Sequence, residues 1–160
     1  MGAVAGVVGG RLVVAGGFCR GQLTSVETYT GTRWTPLPSM PHKAYLATAC
    51  VLNGRLHVMG GDRSNKLQVL EMTEENGLSW SCKADLPAIR AGAASVVHEG
   101  RIWVMGGDVA DSGEGSASVI TYGAETDTWE AAPPLPTLFH CAVAIDGGIL
   151  LIHELKPMVF

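Results

Sequence analysis

Five histidines and four cysteines are the side chains here best suited to hold a metal or attack a substrate. The histidines are His42, His57, His98, His140 and His153, and the cysteines are Cys19, Cys50, Cys82 and Cys141. A zinc or redox site would bring such residues close in sequence, as in CxxC. The cysteines stand tens of residues apart with no CxxC, so they read as free thiols, mostly small buried hydrophobes, in a reducing cytoplasmic compartment. Only His42 and His140 hold comparable places along the chain, which is thin support for a ligand pair. No Ser/His/Asp pattern, nucleophile elbow or functional carboxylate pair occurs. The expectation is a protein without catalytic residues, metal or cofactor.

Composition narrows the partners. The chain has 160 residues, 47% hydrophobic and 16% charged, with a net charge of −4. That balance supports a buried core. Lys and Arg are scattered, leaving no basic footprint for nucleic acid. The longest apolar stretch, residues 1–14, is Gly-rich, interrupted by Arg11 and too short to span a bilayer. It lacks a basic leader for a signal peptide. Gly6 stands where a myristoylation signal after Gly2 requires Ser or Thr. Neither nucleic acid nor membrane is expected as a partner.

The elements that would position any site come from a repeat. An apolar run ending in a glycine pair occurs three times, closing at Gly16-Gly17, Gly60-Gly61 and Gly106-Gly107. Gly-Arg precedes each run, at Gly10-Arg11, Gly54-Arg55 and Gly100-Arg101, and another apolar run precedes that. Two apolar runs around a Gly-containing turn form a hairpin, with Asn53-Gly54 the strongest type I′ signal. The first strands are expected at 3–8, 45–52 and 93–97. Third strands are expected at 25–29, 67–72 and 117–122, followed by Trp34, Trp80 and Trp129. Leu37-Pro38, Leu86-Pro87 and Leu135-Pro136 then mark a fourth, outermost strand, where a missing N–H costs no ladder bond. Four antiparallel strands per 45 residues or so point to an all-β propeller segment.

The glycine pair, an aromatic on the third strand and a Trp soon after resemble the kelch-repeat family. Tyr29 and Trp34 carry this in the first unit and Tyr122 and Trp129 in the third. In the second, Met72 is read at the tyrosine position, ahead of Trp80. WD40 repeats share the period, but their Gly-His and Trp-Asp signatures are absent. The resemblance implies three four-stranded blades, at about 2–41, 42–89 and 90–137, and a partial fourth at 138–155. In that fourth unit 139–145 and 149–152 are strands around a turn at Asp146-Gly147-Gly148. His153-Glu154 replaces the glycine pair, and no third or fourth strand follows. Three readings follow: a fragment of a longer protein, which is favoured, a truncated product, or a chain that self-associates to complete the ring.

The glycine pairs are read as structural, since they tolerate backbone angles and close approach that a Cβ forbids. Tyr29, Tyr122, Trp34, Trp80 and Trp129 are read as inter-blade packing rather than sugar-stacking platforms. Trp103, inside a second strand, is also read as packing. Arg11, Arg55 and Arg101 are read as solvated turn charges, with an arginine stripe for an acidic partner as the sharper reading.

Binding is expected in the loops, because a rigid scaffold with variable loops is the usual division. The resemblance implies that the loops after the glycine pairs and the links between blades share one face, used to hold partner peptides. Candidate partner-binding residues there are Arg63, Arg90, Arg20, His42, Tyr45, Asp62, Asp108 and His140, with Phe18, Lys43 and Asn65 nearby. Arg63 and Arg90 lead, because arginine grips carboxylates with a planar fork. Asp62 and Asp108, each following a glycine pair, alternatively cap turns. The expected partner is an acidic or phosphorylated peptide. Many kelch proteins serve as ubiquitin-ligase substrate receptors through BTB or F-box regions, which are absent from these residues. A plain scaffold, or a sugar-active or sugar-binding enzyme such as a sialic-acid isomerase, is the alternative.

Overall fold

The computed structural model describes residues 1–73, 77–108, 115–136, 141–145 and 148–152, with 72–73 and the last two segments described by backbone alone. It is all-β. β1 (Ala3–Val8), β2 (Arg11–Gly16), β3 (Val26–Tyr29) and β4 (Trp34–Leu37) form one antiparallel sheet in sequence order. β5 (Thr48–Leu52), β6 (Arg55–Met59), β7 (Leu67–Thr73) and β8 (Gly77–Cys82) form the second, and β9 (Ala94–His98), β10 (Arg101–Met105), β11 (Val119–Gly123) and β12 (Thr128–Ala132) the third. β13 (Cys141–Ile145) and β14 (Gly148–Ile152) pair as a two-stranded sheet. The turn expected at 146–147 lies outside the described residues.

Turn chemistry sets the inner hairpins. Gly9-Gly10, Asn53-Gly54 and Glu99-Gly100 each put two consecutive residues at positive φ, between 49° and 75°. That is the type I′ condition, whose twist matches a two-residue hairpin. Glycine or asparagine meets it at little cost, whereas Glu99 bears some strain. The second sheet's first strand starts at Thr48 rather than residue 45. The cause is Leu46, whose φ of 54° breaks the extended run. Its neighbours bond to loops instead, Ala44 O accepting from Gly17 N and Tyr45 O from Asp62 N.

The first strands of successive sheets lie against one another, β1 on β5, β5 on β9 and β9 on β13. The sheets therefore radiate as propeller blades, with the fourth strands outermost. Apolar side chains fill each junction. Val4, Val8, Val13 and Val26 of the first blade meet Leu56, Val58 and Leu70 of the second. Leu52, Leu67 and Val69 of the second meet Ile102, Val104, Ile120 and Tyr122 of the third. Burial of such side chains contributes roughly 1.5–3 kcal/mol each.

The tryptophans lock these junctions from outside. Trp80 Nε1 donates to Pro38 O at 2.8 Å, and Trp129 Nε1 donates to Ala84 O at 2.8 Å. Asp127 adds a second grip in the third blade, its Oδ1 accepting from Ala84 N and from Tyr122 Oη. The first junction has no such grip to make, since Pro38 lacks an N–H.

Two expectations about the aromatics need correction. The residue paired with both Leu56 and Trp80, as Tyr29 pairs with Leu12 and Trp34, is Leu70 and not Met72. The β7–β8 hairpin runs two residues further, so counting back from the tryptophan misplaces the position. Trp34 and Tyr29 are not packed between blades: they are 48% and 39% exposed, with no described blade lying over them.

His57 in β6 faces the third blade, 3% exposed, its ring 6.3 Å from that of Tyr122. Its Nδ1 lies 3.0 Å from Arg55 O. A carbonyl only accepts, so Nδ1 carries the proton of a neutral ring. Burial holds the imidazole below its usual value of 6.5, the Arg55 carbonyl opposing the shift. The unfolded chain therefore takes up the proton first as pH falls. Stability should be full above pH 6.5 and decline as the pH falls through the lowered folded value. Chemical unfolding across that range should give a flatter profile for His57→Gln than for the wild type; equal slopes would refute the assignment.

Candidate loop-face binding site

The glycine pairs build this face. Gly16, Gly60 and Gly106 have φ of 68°, 63° and 68°. A Cβ on Gly16 would overlap the Ala44 carbonyl oxygen, and one on Gly60 would come within 2.7 Å of Arg90 O. The second glycines donate across the same junctions, Gly17 N to Ala44 O at 2.6 Å and Gly61 N to Arg90 O at 2.7 Å. At the third pair Asp108 and Ala91 exchange backbone bonds. The loops after the first two glycine pairs are thus stitched to the link entering the next blade, and the loop after the third to the link entering its own blade.

Between the first two blades this stitching leaves an open cleft of about 710 Å³. The β2–β3 loop supplies Phe18, Gly21 and Gln22, and the β4–β5 link supplies Pro41, His42 and Lys43. Residues 62–66 of the β6–β7 loop form the far side. Gln22 Nε2 donates to Asp62 Oδ2 at 2.8 Å, joining the two loops across the cleft. Phe18 is 44% exposed and its ring lies 5.2 Å from that of Tyr45. Lys43, Arg63 and Lys66 stand against one lining carboxylate, Asp62, and Lys66 pairs with Asp85. A concave, partly aromatic surface lined by Lys43, Arg63 and Lys66 suits a ligand that is extended and anionic.

The candidate residues divide. Arg63, His42 and Asp62 line the cleft, with Lys43, Phe18 and Asn65. Tyr45 backs it as a half-buried wall beneath Phe18. Arg20 is exposed in the same loop, φ 56°, but is not in the lining. Asp108 is exposed at the next junction. His140 lies outside the described residues.

Arg90 is a correction. It is 5% exposed, with Nη1 donating to Gly106 O at 2.7 Å and Nη2 to Ser118 Oγ at 2.6 Å. It clamps the second junction's link to the third blade's loop and offers nothing to a partner. Burial lowers its pKa, a cost these bonds offset. Sequence reasoning missed Gln22 and Lys66, polar residues in polar loops with no distinguishing local signal.

The turn arginines form no open stripe. Arg55 pairs with Glu71 at 3.1 Å and Arg101 with Glu130 at 2.8 Å, each within its own blade. Cys50 is held at a thiol pKa of about 12 by burial, far from thiolate chemistry at neutral pH. Among the described residues no three His, Cys, Asp or Glu side chains gather as a metal site. No helix among them is long and apolar enough to cross a membrane.

A family model described as the Kelch motif matches residues 1–41 and 89–136, more than half of the chain. The solved structure described as "Structure of YjhT" superposes on 94% of the chain with a TM-score of 0.81 and 13% identity. At that identity the likeness is one of fold. This chain spans 61% of that one, about three-fifths of its length. No curated protein matches the sequence significantly.

Proposed function

The chain belongs to the kelch-motif family, and on that footing we propose that it is a non-catalytic protein-interaction module of the cytoplasm. Its cleft between the first two blades holds an acidic or phosphorylated segment of a partner protein. The role is that of a scaffold or of the substrate-receiving part of a ubiquitin ligase. The observation that carries this reading is the cleft itself, with Lys43 and Arg63 beside exposed Phe18 and rigid loops held by the Gln22–Asp62 bond. Apolar contact at Phe18 supplies affinity, while the cations select charge and speed encounter.

Selection from a random peptide display library against the purified chain tests the reading. Acidic peptides should be enriched. Lys43→Glu/Arg63→Glu should weaken the best of them at least about tenfold, with the unfolding midpoint unchanged. Binding should also weaken as salt rises. Equal binding by the double variant would remove this cleft from the account. A sugar-acting enzyme would instead turn over a saccharide and enrich no acidic peptide.

A further inference from the structure

One position breaks the rule of its own repeat. Met1 O accepts from Phe18 N at 2.9 Å, Tyr45 O from Asp62 N at 2.7 Å and Ala91 O from Asp108 N at 2.8 Å. The residues that follow, Gly2, Leu46 and Gly92, are therefore equivalent. They are bonded blade to blade, Leu46 N donating to Gly2 O at 3.3 Å and Gly92 N to Leu46 O at 2.8 Å. All three have left-handed backbone, with φ of 68°, 54° and 65°. Glycine takes that conformation freely, whereas leucine bears a clash of its Cβ with a carbonyl. The other non-glycine residues with positive φ among those described, Arg20, Asn53, Arg63, Glu99 and Asp127, are all polar.

Packing does not account for the leucine. It is 39% exposed and, among the described residues, belongs to none of the apolar clusters between blades. The first blade bonds to it on one side and the third on the other, so its exposure is not that of an uncovered outer blade. A strained apolar residue held in water by a rigid frame points to contact with a ligand. Two neighbours depart from the repeat in the same direction. Tyr45 stands where the third blade has Ala91, and Phe18 where the second and third have Asp62 and Asp108. The Tyr45 ring lies over Gly2, where a Cβ would come within 2.7 Å of it, and 5.2 Å from the ring of Phe18.

We infer that the segment held in the cleft seats a large apolar side chain on Leu46, beside Tyr45 and Phe18. The inference rests on the loop-face reading proposed above and narrows it: the ligand joins an acidic or phosphorylated residue to an apolar one at a fixed spacing. Continuity carries it, since Phe18 and Lys43 line the cleft and Leu46 follows Lys43 on the same link. Three residues of chain span at most about 11 Å, so an extended ligand must carry its two groups within about three or four positions of each other.

Peptide selection against the full chain, followed by a double-mutant cycle on the best binder, tests the inference. The enriched acidic peptides should share a large apolar residue within about four positions of the acid. Leu46→Gly should weaken the best of them about tenfold while the unfolding midpoint holds, because Gly2 and Gly92 already fill this place in the neighbouring blades. Replacing the peptide's apolar residue by alanine should cost about tenfold against the wild type and about twofold or less against Leu46→Gly. A loosened link would instead give losses that multiply. Acidic peptides without a fixed apolar position, or multiplying losses, overturn this inference and leave the cleft reading intact, provided that Lys43→Glu/Arg63→Glu still abolishes their binding. Enrichment of no acidic peptide overturns both.

Discussion

Replacing Gly60 by alanine is expected to cost about 3 kcal/mol or more of stability, while the same change at Gly54 should cost only about 1 kcal/mol. Both glycines have positive φ, 63° and 72°. A side chain at either position bears the left-handed backbone penalty. Around Gly54 there is open space, so that penalty is the whole effect. At Gly60 the new methyl would stand 2.7 Å from Arg90 O, a backbone atom that cannot swing aside. Relief requires the second and third blades to part, which strains the Gly61 N–Arg90 O bond at 2.7 Å. Urea unfolding of the two variants isolates the junction's share. Equal losses would mean the glycine pairs serve the turn alone and not the approach of one blade to the next.

The second large effect is expected at Arg90. Truncation to alanine removes the donor that satisfies Gly106 O, takes one of two partners from Ser118 Oγ and leaves a void at a blade junction. A loss of roughly 3 kcal/mol follows, because buried acceptors without partners bear their full desolvation cost. Arg90→Lys should recover little, since an ammonium cannot span Gly106 and Ser118 with two planar N–H arms. Thermal unfolding measures both. Arg63→Ala provides the contrast: Arg63 is exposed, and its removal should leave the midpoint within about 0.5 kcal/mol of wild type while weakening peptide binding. A stable Arg90→Ala variant that had lost only binding would return Arg90 to the recognition surface.

These two arginines show how far the sequence reaches. Both sit in loops on the same side of the repeat, and residue type alone ranks them equally. What separates them is a contact made across a blade junction, to Gly106 and Ser118, sixteen and twenty-eight residues along the chain. The repeat announces the scaffold because turn and strand chemistry are local: paired glycines, Gly-Arg hairpins and a proline-bearing outer strand recur in register. Tyr29 and Trp34 have the same local pattern as Tyr122 and Trp129, yet among the described residues only the latter pair packs against another blade. Burial depends on a neighbour, and no motif within one repeat records whether the neighbour is there. The Leu70 position was hidden differently, by a β7–β8 hairpin whose pairing runs two residues further on each strand than that of β11–β12. The cleft was legible in part. Arg63, His42, Asp62 and Phe18 stand out as loop residues, whereas Gln22 gains its place only through the bond to Asp62.

Hydrogen exchange of the chain with and without its best selected peptide tests the central claim most directly. The account predicts slowed exchange in the loop at residues 18–22, the link at 42–46 and the loop at 62–66, with the hairpin turns at 9–10, 53–54 and 99–100 unchanged. Protection confined to those hairpin turns, with the three cleft segments unaltered, would contradict it.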